Sequence, residues 1–264
     1  MAVYIERTEV GADKAPYFLW DNIFLDGTVT ASSEATNGEV ENALGDSTWD
    51  YWTPTGSTAN INLSLSGSAT VSALGIASHN LGTQNATISL DESEGTSSQL
   101  FSISPADDSP ILVLFDSTTA NDFTFYIDSA DAACSIGNIF LGDPLVIDNG
   151  ILPGYTPLWM ADNIELLESM SLSGQFFQNR IIKRSAQTNL SLNILDRATV
   201  EGADFQNFRT HYNDAKTFFF AAGPSVFEDD ISYCRRVSGA EIKPSFQQNG
   251  IFYNVQLGLE AFVG

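Results

Sequence analysis

The feature that most constrains the fold is a long two-residue alternation at the carboxyl end of the chain. Apolar residues recur at every second position over 13 residues, namely Ile251, Tyr253, Val255, Leu257, Leu259, Ala261 and Val263. A period of two is that of a β-strand, and 13 residues would span roughly 40 Å. A strand this long would aggregate at an exposed edge. The pattern therefore predicts that neighbouring subunits cover it, with a candidate interface at Phe252, Tyr253, Val255, Leu257 and Phe262.

The rest of residues 158–264 reads as strands around one amphipathic helix. The helix is predicted at residues 200–213, with Thr199 as its N-cap. Phe205, Phe208 and Tyr212 lie three and four positions apart, which places them on one face. We expect a carboxyl-terminal β-sandwich domain with this single helix.

Residues 17–142 contain short apolar runs separated by Ser, Thr, Gly, Asn and Asp. Ile61 and Leu63 alternate with polar residues, whereas residues 111–115 form an unbroken apolar run that suits a fully buried strand. Short strands with regular turns predict an amino-terminal jelly-roll sandwich. Turn signals mark residues 143–157 as a linker, and residues 1–16 are left as an amino-terminal segment. The predicted fold class is all-β and mainly antiparallel.

Charge is distributed unevenly along the chain. Between Lys14 and Arg180 there is no Lys or Arg but there are 21 Asp and Glu, whereas residues 180–264 hold nine basic and nine acidic residues. The formal net charge is −22, which disfavours nucleic acid and anionic membranes as partners. No apolar stretch approaches the length of a transmembrane helix, so membrane insertion is not expected. The near-neutral second half can approach copies of itself without a large Coulomb penalty.

Four motifs in the first half resemble the discoidin or galactose-binding-like jelly roll. They are residues 30–33 (TASS), 41–52 (ENALGDSTWDYW), 79–80 (HN) and 135–142 (SIGNIFLG). The resemblance implies loops at one end that bind sugars or lipid headgroups, often beside a structural calcium ion. Candidate ligand contacts are Trp49, Asp50, Trp52, His79 and Asn80, because aromatic faces stack on sugars and polar groups bond hydroxyls.

The sequence also departs from that family's pattern. The Asp-Gly of the calcium-side turn is reversed as Gly45-Asp46, and the domain has no basic residue to grip a sugar. We therefore expect no cofactor, with calcium at the acidic loops 91–94 and 105–108 as the alternative. In a second, structural interpretation, Trp49 and Trp52 close the base of the sandwich.

The second half resembles the ring-forming β domains of phage tail-tube, distal-tail and baseplate proteins. This resemblance rests on the order of strands and helix, on residues 218–220 (FFF) and on the closing alternation. It implies a structural protein of a phage tail tip, located in the virion and assembled in the host cytoplasm. Its partners would be further copies in a ring, commonly a hexamer, other tail proteins, and a host-surface glycan contacted by the first domain.

The sequence favours binding or assembly over catalysis. Only two histidines are present, and no metalloprotease, Walker or nucleophile-elbow motif occurs. The alternatives are a stand-alone carbohydrate-binding protein and a glycan-cleaving enzyme that uses Asp46 and Asp50. Cys134 and Cys234 are interpreted as two buried thiols, with a disulfide bridge as the alternative.

Overall fold

A computed structural model describes residues 2–7, 14–92, 98–148, 150–177, 180–247 and 252–262. Within these ranges the chain forms mainly antiparallel strands in two sheets, so the predicted all-β class is confirmed. The strands are β1 (Ala2–Glu6), β2 (Tyr17–Leu19), β3 (Thr28–Ala31), β4 (Ala59–His79), β5 (Thr87–Glu92), β6 (Ser98–Ile103), β7 (Ile111–Asp128), β8 (Ile136–Gly142), β9 (Leu145–Val146), β10 (Asp162–Leu167), β11 (Arg180–Asp196), β12 (Phe218–Ala221), β13 (Ile231–Arg236), β14 (Ser245–Gln247) and β15 (Phe252–Ala261).

The first sheet bends into a two-layered sandwich because two long strands run through both layers. β4 has 21 residues and β7 has 18, and they pair antiparallel with register shifts after Ser64 and Val71. The start of β4 and the end of β7 form an outer layer with β3, β5 and β6. The end of β4 and the start of β7 form an inner layer with β8 and β1.

Burial differs between the two layers in a way that explains their sequences. In the outer layer Ile61 and Leu63 are buried while Asn62 and Ser64 are exposed, because one face meets water. In the inner layer residues 71–79 and 111–115 are buried without interruption, because the second sheet covers the outside of this layer. The predicted fully buried strand at residues 111–115 is therefore confirmed. A strand that is covered on both faces has an unbroken apolar sequence, as this one does.

The second sheet runs in the order β10-β11-β15-β13-β12-β2-β9, with β14 beside β15. One face packs against the helical segment, and the opposite face packs against the inner layer of the jelly roll. The predicted helical stripe is confirmed, since Phe205, Phe208 and Tyr212 are all buried in the core beneath the helix.

The helical segment is divided, in contrast to the single helix predicted at residues 200–213. α1 (Arg197–Glu201) and α2 (Ala203–Asn213) are separated by Gly202, whose ψ of 148° is extended rather than helical. The predicted N-cap, Thr199, lies inside α1. Asp196 caps α1 instead, because its carboxylate accepts the Thr199 backbone N–H at 2.6 Å.

Aromatic side chains join the two sheets through a shared apolar core. Phe219 of β12 packs against Phe140 of β8, with ring centroids 5.5 Å apart, and against Tyr233 of β13, with centroids 5.0 Å apart. Small residues on β4 make room for these rings. A Cβ atom on Gly75 would lie 2.6 Å from the Phe219 ring, so only glycine fits there.

The domain boundaries differ from those predicted. β1, placed in the 1–16 segment, pairs parallel with β7 in the first sheet, whereas β2, placed in the 17–142 jelly roll, lies in the second sheet between β12 and β9. β9 itself falls in the predicted 143–157 linker. The chain therefore crosses between the sheets near its amino end, because hydrogen-bond pairing over long separations outweighs the local turn signals.

Candidate functional site

A loop of the jelly roll at residues 44–52 is held rigidly by side chains beneath it. Asn138 of β8 is fully buried, and its Nδ2 donates to the carbonyl oxygens of Gly45 at 2.7 Å and Ser47 at 3.0 Å. The Ser78 hydroxyl at the end of β4 donates to the carbonyl oxygen of Thr48 at 2.9 Å. These bonds fix the loop backbone to β8 and β4, two neighbouring strands of the inner layer.

The fixed loop presents aromatic and acidic side chains to solvent. Trp49 is 84% exposed, and Asp50 beside it is also exposed. Tyr51 is partly exposed, and its hydroxyl lies within hydrogen-bond distance of Ser78 Oγ, at 3.3 Å. A rigid, exposed indole with neighbouring acceptors is a surface on which a sugar ring can stack and bond.

Trp52 lies three residues away but is completely buried. Its indole Nε1 donates to the Ser33 carbonyl oxygen at 3.3 Å, and its backbone exchanges two hydrogen bonds with Ile136 at 2.9 and 3.0 Å. Trp52 therefore closes the base of the sandwich, as the structural interpretation describes, and offers no surface to a ligand. Trp49 does not share that role.

His79, which is buried, and Asn80, which is half-buried, connect loops at the same end of the jelly roll. The His79 Nε2–H donates to the Ser109 carbonyl oxygen at 2.8 Å, and its Nδ1 accepts the Leu81 N–H at 3.2 Å. Burial lowers the pKa of His79, which keeps the ring neutral. Asn80 Oδ1 accepts the Ser135 N–H at 2.7 Å. Of the five predicted contacts, Trp49 and Asp50 are the two that face solvent.

Three carboxylates, one at the calcium-side turn and two in the 105–108 loop, accept hydrogen bonds from other residues of the chain. Asp46 accepts hydrogen bonds from the backbone and hydroxyl of Thr217, the residue that precedes β12. Asp107 accepts the Ser109 N–H, and Asp108 accepts the hydroxyl of Thr83. Among the described residues, no three acidic, His or Cys side chains are grouped as metal ligands. Residues 93 and 94 of the other acidic loop lie outside the described ranges.

Three of the five candidate interface residues at the carboxyl end lie inside the subunit. β15 pairs with β11 on one side and with β13 and β14 on the other, so it is not an edge strand. Tyr253, Val255 and Leu257 are buried in the core beneath the helix. Phe252 is 37% exposed, and Phe262 is half-buried against the core between the sheets. Strands of the same chain therefore cover both edges of β15, where the sequence pattern predicted neighbouring subunits.

Sequence reasoning missed a different apolar surface, here called the exposed arm. It comprises β10, residues 168–177 and the start of β11 at residues 180–184. Nine of the 18 large hydrophobic side chains that are exposed in the described residues lie here, namely Ile164, Leu166, Leu167, Met170, Leu172, Phe176, Phe177, Ile181 and Ile182. The sequence signal that could have indicated this surface is the high density of apolar residues between positions 164 and 182.

The two cysteines are free thiols, which confirms their interpretation as buried and unbridged. Cys134 lies in the jelly-roll core and Cys234 in the core beneath the helix. Burial raises the pKa of Cys134 to about 11 and that of Cys234 well above its ordinary value, so both remain protonated. Within the described residues, no helix reaches the length and apolarity that a membrane crossing requires.

Comparison with known proteins finds similarity to solved structures over about half of the chain. No protein-family model matches, and no curated protein matches. A GH29 fucosidase of Ruminococcus gnavus, solved with fucose, is 14% identical with a TM-score of 0.41, and the match covers 47% of this chain and 27% of the fucosidase. A CBM32 module from Clostridium perfringens, in complex with GalNAc-β-1,3-galactose, is 16% identical with a TM-score of 0.40, covering 47% of this chain and 99% of the module.

A chitosan-binding module from a Paenibacillus chitosanase/glucanase gives a similar match. It is 18% identical with a TM-score of 0.38, and the match covers 46% of this chain and 98% of the module. The chain thus spans about a quarter of the fucosidase but nearly all of each isolated module.

Proposed function

We propose that the jelly roll binds carbohydrate at the 44–52 loop, with Trp49 as the stacking surface. The observation that carries this proposal is an 84% exposed indole on a loop fixed by buried Asn138 and by Ser78. A large exposed aromatic side chain costs solubility, and a loop held in one conformation loses little entropy on binding. Both features are typical of a preorganised ligand contact.

The proposed role is binding without catalysis. A glycosidase needs two carboxyl groups free to exchange protons on either side of the scissile bond. Asp46 instead accepts two hydrogen bonds from Thr217 and fastens the loop to the second sheet. Asp50 remains exposed beside Trp49, where it accepts hydrogen bonds from sugar hydroxyls.

Glycan-array screening of the full chain, followed by calorimetry, tests this function. Trp49→Ala should weaken binding at least tenfold, which corresponds to about 1.4 kcal/mol of lost stacking. Trp159→Ala is the matched control, because Trp159 is also an exposed tryptophan (53%) but lies in the second half of the chain. Equal affinities for the wild type and Trp49→Ala would contradict the proposal.

The exposed arm favours a second function, that of a self-assembling structural subunit such as a phage tail-tip protein. Every residue of β10 is exposed, and β10 is the edge strand of the second sheet. An apolar edge strand is a site for pairing with another chain. Phe176 at 88% exposed and Leu172, fully exposed, extend the apolar surface beyond the strand.

The occupant proposed for the arm is a second copy of this chain. Arg180 lies on the arm, and it is the first cation after a stretch that holds 21 carboxylates and no cation. A second copy brings that acidic surface, so the two are complementary in charge. A closed ring would repeat the same heterologous contact around its axis.

Size-exclusion chromatography with light scattering tests the assembly. The wild type should associate as concentration rises, and Leu172→Asp with Phe176→Asp should remain a monomer. Val226→Asp with Phe227→Asp is the control pair, because these residues are also exposed but lie outside the arm. A wild type that stays monomeric at the highest soluble concentration would contradict this function.

A further inference from the structure

A crevice of about 330 Å³ lies between the 44–52 loop and the second sheet. The loop contributes Asp46 and Thr48 to its wall, and the sheet contributes charged side chains from β11, β13 and β15. The charged residues that line it on the sheet side are Lys183, Arg184, Arg235 and Glu260.

The crevice carries more positive than negative charge. Lys183 Nζ lies 2.5 Å from Glu260 Oε1, and Arg235 Nε lies 3.1 Å from Glu260 Oε2, so one carboxylate serves two cations. Burial opposes ionisation of Glu260, but the hydrogen bonds from Lys183 and Gln187 and the charge of Arg235 outweigh it and lower its pKa. With Arg184, three cations face two carboxylates in a protein of net charge −22.

A buried polar group in the wall also has no hydrogen-bond partner among the described residues. Ser185 is 6% exposed, and its hydroxyl makes no hydrogen bond to any described residue. Burying a hydroxyl without a hydrogen-bond partner is unfavourable. A ligand oxygen in the crevice would accept its hydrogen and remove that cost.

We propose that this crevice binds the carboxylate of an acidic sugar, in the glycan that stacks on Trp49. Thr48 lines the crevice and Trp49 is the next residue, so neighbouring sugars of one glycan can reach both. The ligand carboxylate would give Lys183 and Arg235 the second counter-charge that Glu260 alone does not supply. This inference rests on the proposed carbohydrate function and adds its ligand class.

Calorimetry with two acidic probes and their neutral counterparts tests the inference on the full chain. The probes are a galacturonic acid trisaccharide and sialyl-lactose, each compared with its carboxyl-reduced form. At least one acidic probe should bind tenfold more tightly than its reduced form, and this preference should shrink when salt rises from about 50 to 200 mM. Arg235→Gln should remove the preference, because it removes one of the cations that would bind the ligand carboxylate. The variant should still fold, since the Arg235 side chain is mostly exposed and Lys183 stays paired with Glu260.

Arg197→Gln is the control, because Arg197 is an exposed arginine paired with Glu201 on α1, away from the crevice. Equal binding of acidic and reduced probes, with both weakened by Trp49→Ala, would overturn the crevice and leave the carbohydrate function standing. An acidic preference that depends on Arg235 but not on Trp49 would support the crevice and overturn stacking. Absence of binding by all four probes would overturn the inference, and the glycan array then decides the function separately.

Discussion

The contact between the two sheets predicts that the whole chain unfolds as one unit. Phe219 is only 1% exposed and contacts rings from both sheets, namely Phe140 in the jelly roll and Tyr233 in the second sheet. Phe219→Ala removes a fully buried ring and leaves a cavity that rigid strands on both sides cannot fill. The loss should therefore be felt by both sheets.

Truncation of a buried phenylalanine to alanine costs about 3–5 kcal/mol. Phe219 belongs at the upper half of that range, because its ring fills the space that Gly75 leaves open on the opposite sheet. For a chain of this size each kcal/mol lowers the melting temperature by about 2–4 °C, so a loss of about 4–5 kcal/mol should lower it by about 8–20 °C.

Calorimetry and denaturant unfolding, monitored by tryptophan fluorescence and far-ultraviolet circular dichroism, measure the effect. Wild type and Phe219→Ala should each show one transition that coincides in both signals. Phe227→Ala is the control, because Phe227 is about half exposed and its truncation should cost under about 1 kcal/mol. Two separate transitions, only one of which moves in Phe219→Ala, would refute the shared core.

Three further predictions concern single sites. Gly75→Ala should cost about 1–3 kcal/mol, because its Cβ would lie 2.6 Å from the Phe219 ring, as chemical denaturation will measure. Asp196→Ala should lower the midpoint of unfolding in the same assay, because the Thr199 N–H loses its acceptor. Burial lowers the pKa of His79 below the unfolded value of 6.5, so its contribution to stability is complete above pH 6.5 and is lost as pH falls toward the folded pKa. His79→Gln should flatten that part of the pH profile of unfolding.

Each of these predictions has a matched control. Gly67→Ala adds the same methyl group to β4 with no atom within 4 Å, so it should be tolerated, and equal costs at the two glycines would contradict the packing argument. Asp196→Asn retains an acceptor and should preserve most of the capping energy. A stability difference between His79→Gln and the wild type that stays constant from pH 7.5 to 5 would show that the burial of His79 does not favour its neutral form.

The sequence pattern correctly predicted strands that are several residues long and are buried either on one face or on both faces. Ile61 and Leu63 alternate because water meets one face of the outer layer, and residues 111–115 do not alternate because both faces are covered. β2 has three residues, too few to show a period, and its partner Phe219 lies 200 positions further on, opposite Leu19. No local pattern encodes that pairing, so residues 17–19 were assigned to the jelly roll although they belong to the second sheet.

The candidate site shows the same limit on a smaller scale. Trp49 and Trp52 have the same side chain and lie three residues apart in a turn-rich segment, yet one is exposed and the other is buried. The difference arises because Trp52 pairs with Ile136, which lies 84 positions later. The crevice is similarly assembled from β11, β13 and β15 at separations of 25 to 77 positions, which no spacing motif could indicate.

Because β1 and β2 lie in different sheets, the amino-terminal residues connect the two sheets to each other. β1 covers one edge of β7, and β2 covers one edge of β12. Proteolytic removal of the residues before Trp20 would therefore uncover backbone donors and acceptors on both sheets in a single cut. Exposed strand edges pair with other chains, so removal of this short segment should make the protein aggregate.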